Sequence, residues 1–76
     1  MELILISASW CTNCVPVKNF IKENNIDVEY IDAEESPDIP AKYGVMTLPS
    51  LVDNRNPEEP VIYTGTNQCL QGLNKL

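Results

Sequence analysis

Histidine is absent from the 76 residues of this chain. Its absence excludes a Cys–His hydrolase and any histidine general base. Basic residues are scarce as well: five Lys and Arg stand against eleven Asp and Glu, for a net charge of −6. The five are scattered and form no basic patch, which excludes phosphate-driven binding of nucleic acid. An acidic surface favours partners with a neutral or positive docking face, although acidity also serves solubility alone. Long apolar runs are missing too. The run Leu3-Ile4-Leu5-Ile6 is far short of the roughly 20 residues that a spanning helix needs. It is also too short for the apolar core of a signal peptide, and no basic segment precedes it. The expected address is therefore cytoplasmic, with no membrane partner. With only three cysteines, an odd count, a structural disulfide framework is excluded. A structural zinc site within one chain, which normally takes four Cys or His ligands, is excluded for the same reason.

What remains suits one small globular domain, residues 1–76, at 43% hydrophobic and 21% charged. A domain of this size buries only about 60% of its unfolded surface. No internal repeat, low-complexity tract or long linker divides it, and it is expected to be a monomer.

The cysteines carry the chemistry. Cys11 and Cys14 are spaced Cys-x-x-Cys within Trp10-Cys11-Thr12-Asn13-Cys14, between an apolar run and a helix-like segment. A dithiol at a strand-to-helix junction early in a βαβ pattern points to thiol–disulfide exchange. The partial positive charge of a helix N-terminus favours thiolate over thiol there. In a helical or turn geometry, positions three apart bring two Cα atoms to about 5–6 Å, within disulfide range. Cys11, at the exposed end, is the candidate nucleophile, with the backbone N–H groups of Asn13 and Cys14 stabilising its thiolate. Cys14, one turn inside and shielded, is the candidate resolving thiol. Two other readings stay open. Both cysteines are ordinary buried core residues, or they form a half-site for zinc or an iron–sulfur cluster shared across a dimer. Cys69, between Gln68 and Leu70, reads as a partly buried helix residue without a role; the sharper alternative is a regulatory thiol or a site for intermolecular disulfides on oxidation.

The pattern along the chain predicts the order β-α-β-α-β-β-α. Residues 2–7 read as a central strand, apolar on both faces. From Cys14, the apolar residues Val17, Phe20 and Ile21 recur at helical steps, and Asn24-Asn25 marks a stop. If Asn13 caps this helix, Pro16 falls in the first turn, where its missing N–H costs nothing. Residues 26–31 alternate and read as a second strand, completing a right-handed βαβ unit. Ser36 is the expected cap of a short helix with Pro37 at its first position, ending near Tyr43 with Gly44 as left-handed terminator. Residues 50–53 and 61–64 read as antiparallel strands joined by a turn over 54–60. Asn67 is the expected cap of a last helix that turns Leu70 and Leu73, and with them Leu76, inward. The fold class is α/β, a four-stranded mixed sheet with helices on both faces.

Three landmarks resemble the thioredoxin/glutaredoxin superfamily in its minimal, glutaredoxin-sized form. Ala8-Ser9-Trp10-Cys11-Thr12-Asn13-Cys14 is similar to the active-site loop of thioredoxins. Tyr43-Gly44-Val45-Met46-Thr47-Leu48-Pro49-Ser50 is similar to the segment bearing their cis-proline, and Gly65 matches the small residue lining their substrate groove. The resemblance implies a thioredoxin fold and a dithiol–disulfide oxidoreductase that needs no organic cofactor and no metal. It implies protein disulfide substrates, with ribonucleotide reductase among the clients as an acceptor of electrons, and thioredoxin reductase or glutathione upstream. It also implies a cis Pro49 opposite the dithiol, with the Leu48 backbone open to an extended substrate strand. Trp10, Thr47, Leu48, Pro49 and Gly65 are then the substrate-binding residues, and Met46 joins the apolar rim; Trp10 reads equally as core. Tyr43 and Val45 read as packing residues. The chain departs from the pattern at Leu5, where thioredoxins keep a buried Asp, and at Thr12-Asn13, which is neither Gly-Pro nor Pro-Tyr. The basic residue before the first cysteine and the Asp by which glutaredoxins usually hold glutathione have no counterpart in Ala8-Ser9-Trp10 or Gly65-Thr66-Asn67.

Overall fold

Strand β1 (Leu3–Ser7) is buried at every position, because its side chains feed two cores at once. Leu3 and Leu5 pack with Val17, Ile21, Val28, Leu51, Cys69 and Leu73 on one side of the sheet. Ile4 and Ile6 pack with Val52 on the other, against Ile31, Ile39, Tyr43, Val45 and Leu48. A period-2 strand with apolar residues on both faces demands exactly this sandwiching between layers of helix. The computed structural model describes residues 3–76; Glu2, at the start of the expected first strand, lies outside them.

A 3-10 turn (Thr12–Cys14) leads into helix α1 (Val15–Glu23), followed by strand β2 (Glu29–Asp32) and helix α2 (Asp38–Tyr43). Strands β3 (Ser50–Asp53) and β4 (Val61–Thr64) form a hairpin, and helix α3 (Thr66–Asn74) closes the chain. The sheet order is β2-β1-β3-β4. β1 pairs parallel with β2 and antiparallel with β3, and β3 pairs antiparallel with β4. This is the expected four-stranded mixed sheet. α1 and α3 share the core built on Leu5, and α2 lies on the opposite side, in the core built on Ile6.

Several boundaries differ from the sequence expectation, each for a local reason. β2 starts at Glu29, three residues later than predicted, because Ile26 is used to end α1. Asn25 adopts φ +52, its N–H donates to the Lys22 carbonyl, and the Ile26 N–H reaches back to the Ile21 carbonyl at 3.0 Å. This is a Schellman cap, with Ile26 and Ile21 as its apolar pair. α2 ends the same way, with Gly44 at φ +67 and the Val45 N–H on the Pro40 carbonyl at 2.8 Å. Its first residue is Asp38 and its cap position is Pro37, so Ser36 gives no side-chain cap. α3 starts at Thr66 with Gly65 at its cap, two residues ahead of the expected Asn67. Leu73 is buried and Leu70 half-buried as expected, but Leu76 is exposed, since the helix ends at Asn74 before the turn that would carry it inward.

Candidate active site

The residues between β1 and α1 bring the two sulfurs together. Beyond Ser7 the chain turns, with the Cys11 N–H donating to the Ala8 carbonyl at 3.1 Å. Cys11 is extended, and the 3-10 turn that follows is closed by the Cys14 N–H on the Cys11 carbonyl at 3.3 Å. Cys11 and Cys14 are joined by a disulfide, with their Cα atoms 5.5 Å apart. That separation lies within the range a disulfide requires, so the bond opens and closes with little backbone movement. α1 starts at Val15 with Cys14, rather than the expected Asn13, at its cap, and Pro16 does fall in the first turn.

The two sulfurs differ in access, though less than the sequence suggested. Cys14 is fully buried, and Cys11 keeps 8% of its surface. Cys11 is thus not an open helix end: it lies in an apolar cluster with Ala8 and Cys14, against which half-buried Leu48 packs. The expected N–H donors are also partly occupied, since the Cys14 N–H serves the Cys11 carbonyl while the disulfide is closed.

Leu48 reaches the disulfide from the loop before β3. The Leu48–Pro49 peptide bond is cis. The buried Ser50 hydroxyl donates to the Thr47 carbonyl, bracing that loop from within, and the Pro49 carbonyl accepts the Gly65 N–H at 2.9 Å. Outside this frame, Thr47 is exposed, Trp10 is 65% exposed and Met46 97% exposed. Trp10 is therefore not a core residue, whereas Tyr43 and Val45 pack against the core of Ile4, Ile6 and Val52.

Three features escaped the sequence reading. Ser50 is one, as its role depends on the loop geometry. The second is Thr66, whose hydroxyl donates to the Asn13 carbonyl at 2.9 Å and so ties α3 to the turn between the cysteines. The third is Cys69, which is fully buried rather than partly so. Its sulfur lies 3.6 Å from the Pro49 carbonyl oxygen and 3.5 Å from that of Tyr63. Burial pushes its thiol up to about 11, opposed by a backbone hydrogen bond from Leu51. Leu5 is wholly buried in apolar surroundings and offers no carboxylate.

Residues 1–76 match the family model described as a thioredoxin domain. The chain is 35% identical over 49 residues to the SPbeta prophage-derived thioredoxin-like protein YosR of Bacillus subtilis, covering 64% of this chain and 61% of that protein. It is 30% identical over 67 residues to a thioredoxin of Rickettsia bellii, covering 80% of this chain and 64% of the relative. It thus spans less than two thirds of the length of either relative. Among solved structures, the thioredoxin-like protein BC3987, in a mutant form, superposes with a TM-score of 0.74 at 22% identity, covering 99% of this chain and 97% of that one. Plasmodium falciparum thioredoxin gives a TM-score of 0.69 at 24% identity, over 96% of this chain and 65% of its own. At such identities these structures show a shared fold.

Proposed function

The chain belongs to the thioredoxin domain family, and from that membership we propose that it is a dithiol–disulfide oxidoreductase acting on protein disulfides. The observation that carries this reading is the Cys11–Cys14 disulfide itself, with Cys14 fully buried and Cys11 keeping a small share of its surface. An asymmetric pair of this kind separates the two jobs of exchange. The outer sulfur meets the substrate, and the inner one meets only the intermediate.

In the reduced protein the Cys11 thiolate attacks one sulfur of a substrate disulfide. The substrate S–S bond breaks, its leaving sulfur departs as a thiolate, and Cys11 is left in a mixed disulfide. Cys14 then attacks Cys11 Sγ, the mixed disulfide breaks, and the internal Cys11–Cys14 bond forms. Two electrons have passed to the substrate, whose two sulfurs take up the proton released by Cys14 and one from water and leave as thiols. Trp10, Thr47, Leu48, Pro49 and Gly65 would frame the docking groove, with Met46 at its rim. The packing of Leu48 against the cluster of the cysteines and the exposure of Trp10 support that assignment.

Ribonucleotide reductase is one candidate client, and thioredoxin reductase or glutathione a candidate source of electrons. A cytoplasmic, monomeric protein suits this role; among the described residues no helix is long and apolar enough to cross a membrane. The test is reduction of insulin disulfides by dithiothreitol with wild type and with Cys11→Ser. Wild type should accelerate the reaction and the variant should not; equal rates would defeat the reading. Supplying NADPH with thioredoxin reductase, or glutathione with its reductase, to the oxidised protein identifies the upstream donor.

A further inference from the structure

Asn13 has a backbone carbonyl that lacks its 3-10 partner. The 3-10 turn runs on a series of i→i+3 bonds, from the Cys14 N–H to the Cys11 carbonyl and from the Val15 N–H to the Thr12 carbonyl. The next donor in that series would be residue 16, which is proline and has no N–H. A hydroxyl 53 positions away fills the gap: Thr66 Oγ1 donates to the Asn13 carbonyl at 2.9 Å. Thr66 is itself held in place. Gly65, just before it, donates its N–H to the Pro49 carbonyl at 2.9 Å and accepts the Cys69 N–H at 3.0 Å.

We propose that Thr66 is a positioning residue for the dithiol, acting through the Asn13 carbonyl to raise the reactivity of Cys11. The Asn13 carbonyl and the Cys14 N–H belong to one peptide unit. A donor on the oxygen polarises that unit and strengthens the N–H as a donor in turn. In the disulfide form the Cys14 N–H makes a long bond to the Cys11 carbonyl, 3.3 Å. When the disulfide opens, the same N–H lies at the thiolate end of the turn and favours the charged form of Cys11. Cys11 shares an apolar cluster with Ala8 and Cys14, with Leu48 packed against it, and of these Cys14 is the titratable neighbour. Because Thr66 also follows the residue tied to Pro49, it links the docking wall to the reacting sulfur.

This inference rests on the oxidoreductase reading only for its biological meaning; its test does not depend on any substrate. The reduced protein is alkylated with iodoacetamide across a pH series, and labelling of Cys11 is followed by mass spectrometry in wild type, Thr66→Val and Thr66→Ser. Thr66→Val, which keeps shape and removes the donor, should slow Cys11 labelling about threefold at neutral pH, with rates converging at alkaline pH where the thiol is ionised in every variant. Thr66→Ser, which keeps the hydroxyl, should follow wild type. Coincident profiles for Thr66→Val and wild type overturn the proposal, as does equal slowing in both variants. A fold-wide effect of the substitution would lower the unfolding midpoint and leave the pH profile unmoved, which also overturns it. Should Thr66→Val not fold, Thr66→Ala takes its place against Thr66→Ser. Insulin reduction by wild type is scored separately, so a failure here and a failure of the oxidoreductase reading give different results.

Discussion

The Cys69 sulfur lies 3.6 Å from the Pro49 carbonyl oxygen, an oxygen that also receives the Gly65 N–H. One carbonyl at the start of β3 thus fastens both the cap and the first turn of α3, directly after the residue, Leu48, that packs on the Cys11–Cys14 disulfide. The third cysteine belongs to the frame of the site rather than to its chemistry.

Burial follows through to reactivity at Cys69. Its thiol, ordinarily near 9.0, is raised to about 11, chiefly by desolvation. In the native reduced protein at neutral pH, iodoacetamide should label Cys11 and spare Cys69, which reacts only after denaturation. The raised value also ties stability to pH. Between about 9 and 11 the unfolded chain has lost this proton and the folded one has kept it, so stability falls as pH rises through that window. The loss approaches about 3 kcal/mol at its upper end. Denaturant unfolding of wild type and Cys69→Ala at pH 8 and pH 11 checks this, because the alkaline loss should shrink in the variant.

Gly72 faces Tyr63 so closely that α3 needs glycine there. A Cβ at this position would meet three Tyr63 ring atoms at 2.8 to 2.9 Å, inside any normal contact. Tyr63 is half-buried and packs on the core of α1 and α3, so its ring cannot swing away without exposing apolar surface. Gly72→Ala should therefore cost about 1–3 kcal/mol despite the better helix propensity of Ala. Calorimetry should show a melting point lower by roughly 4 °C or more. Combining it with Tyr63→Leu should return part of the loss.

Much of this architecture is legible in the sequence, for reasons that individual residues make plain. Leu3 to Ile6 announce a strand buried on both faces, and the limits of β3 and β4 fall where the turn residues place them. Gly44 is readable as a terminator because a left-handed residue there has few substitutes. Asn25 takes the same conformation, but an Asn pair does not reveal that the next residue, Ile26, will fold back on Ile21 and delay β2. At the site, the spacing of Cys11 and Cys14 specifies their proximity. The lid on Cys11 comes from Leu48, and the brace on Asn13 from Thr66, both distant in sequence. No local pattern encodes contacts that only the closed fold creates.

Trp10, directly before Cys11 in the chain, and Met46, two residues before Leu48, stand out of the surface at 65% and 97% exposure. Apolar groups held so open contribute little to folding and are suited to meeting a partner. Replacing both with Ala should leave the unfolding midpoint nearly unchanged. It should raise KM for a protein disulfide about tenfold while leaving reduction of a small disulfide such as hydroxyethyl disulfide within about twofold, since only the larger substrate reaches the rim. Parallel losses on both substrates would place these residues outside docking.

Roles for the two sulfurs follow from their access, and trapping separates them. Cys14 is fully buried, whereas Cys11 keeps 8% of its surface, so the proposed mechanism has a substrate sulfur form its first bond with Cys11. In Cys14→Ser the attack proceeds, the substrate disulfide opens and one of its sulfurs stays bonded to Cys11, because the hydroxyl that replaces the resolving thiol cannot displace it. Non-reducing electrophoresis of Cys14→Ser with a disulfide-bearing protein should show a covalent adduct that dithiothreitol dissolves. Cys11→Ser should show none, its remaining thiol lying beneath the same packed residues. An adduct on Cys11→Ser and none on Cys14→Ser would exchange the two assignments. Adducts on both would mean that the loop opens far enough on reduction to bare either sulfur, and the separation of attacking from resolving thiol would have to come from reactivity rather than from burial.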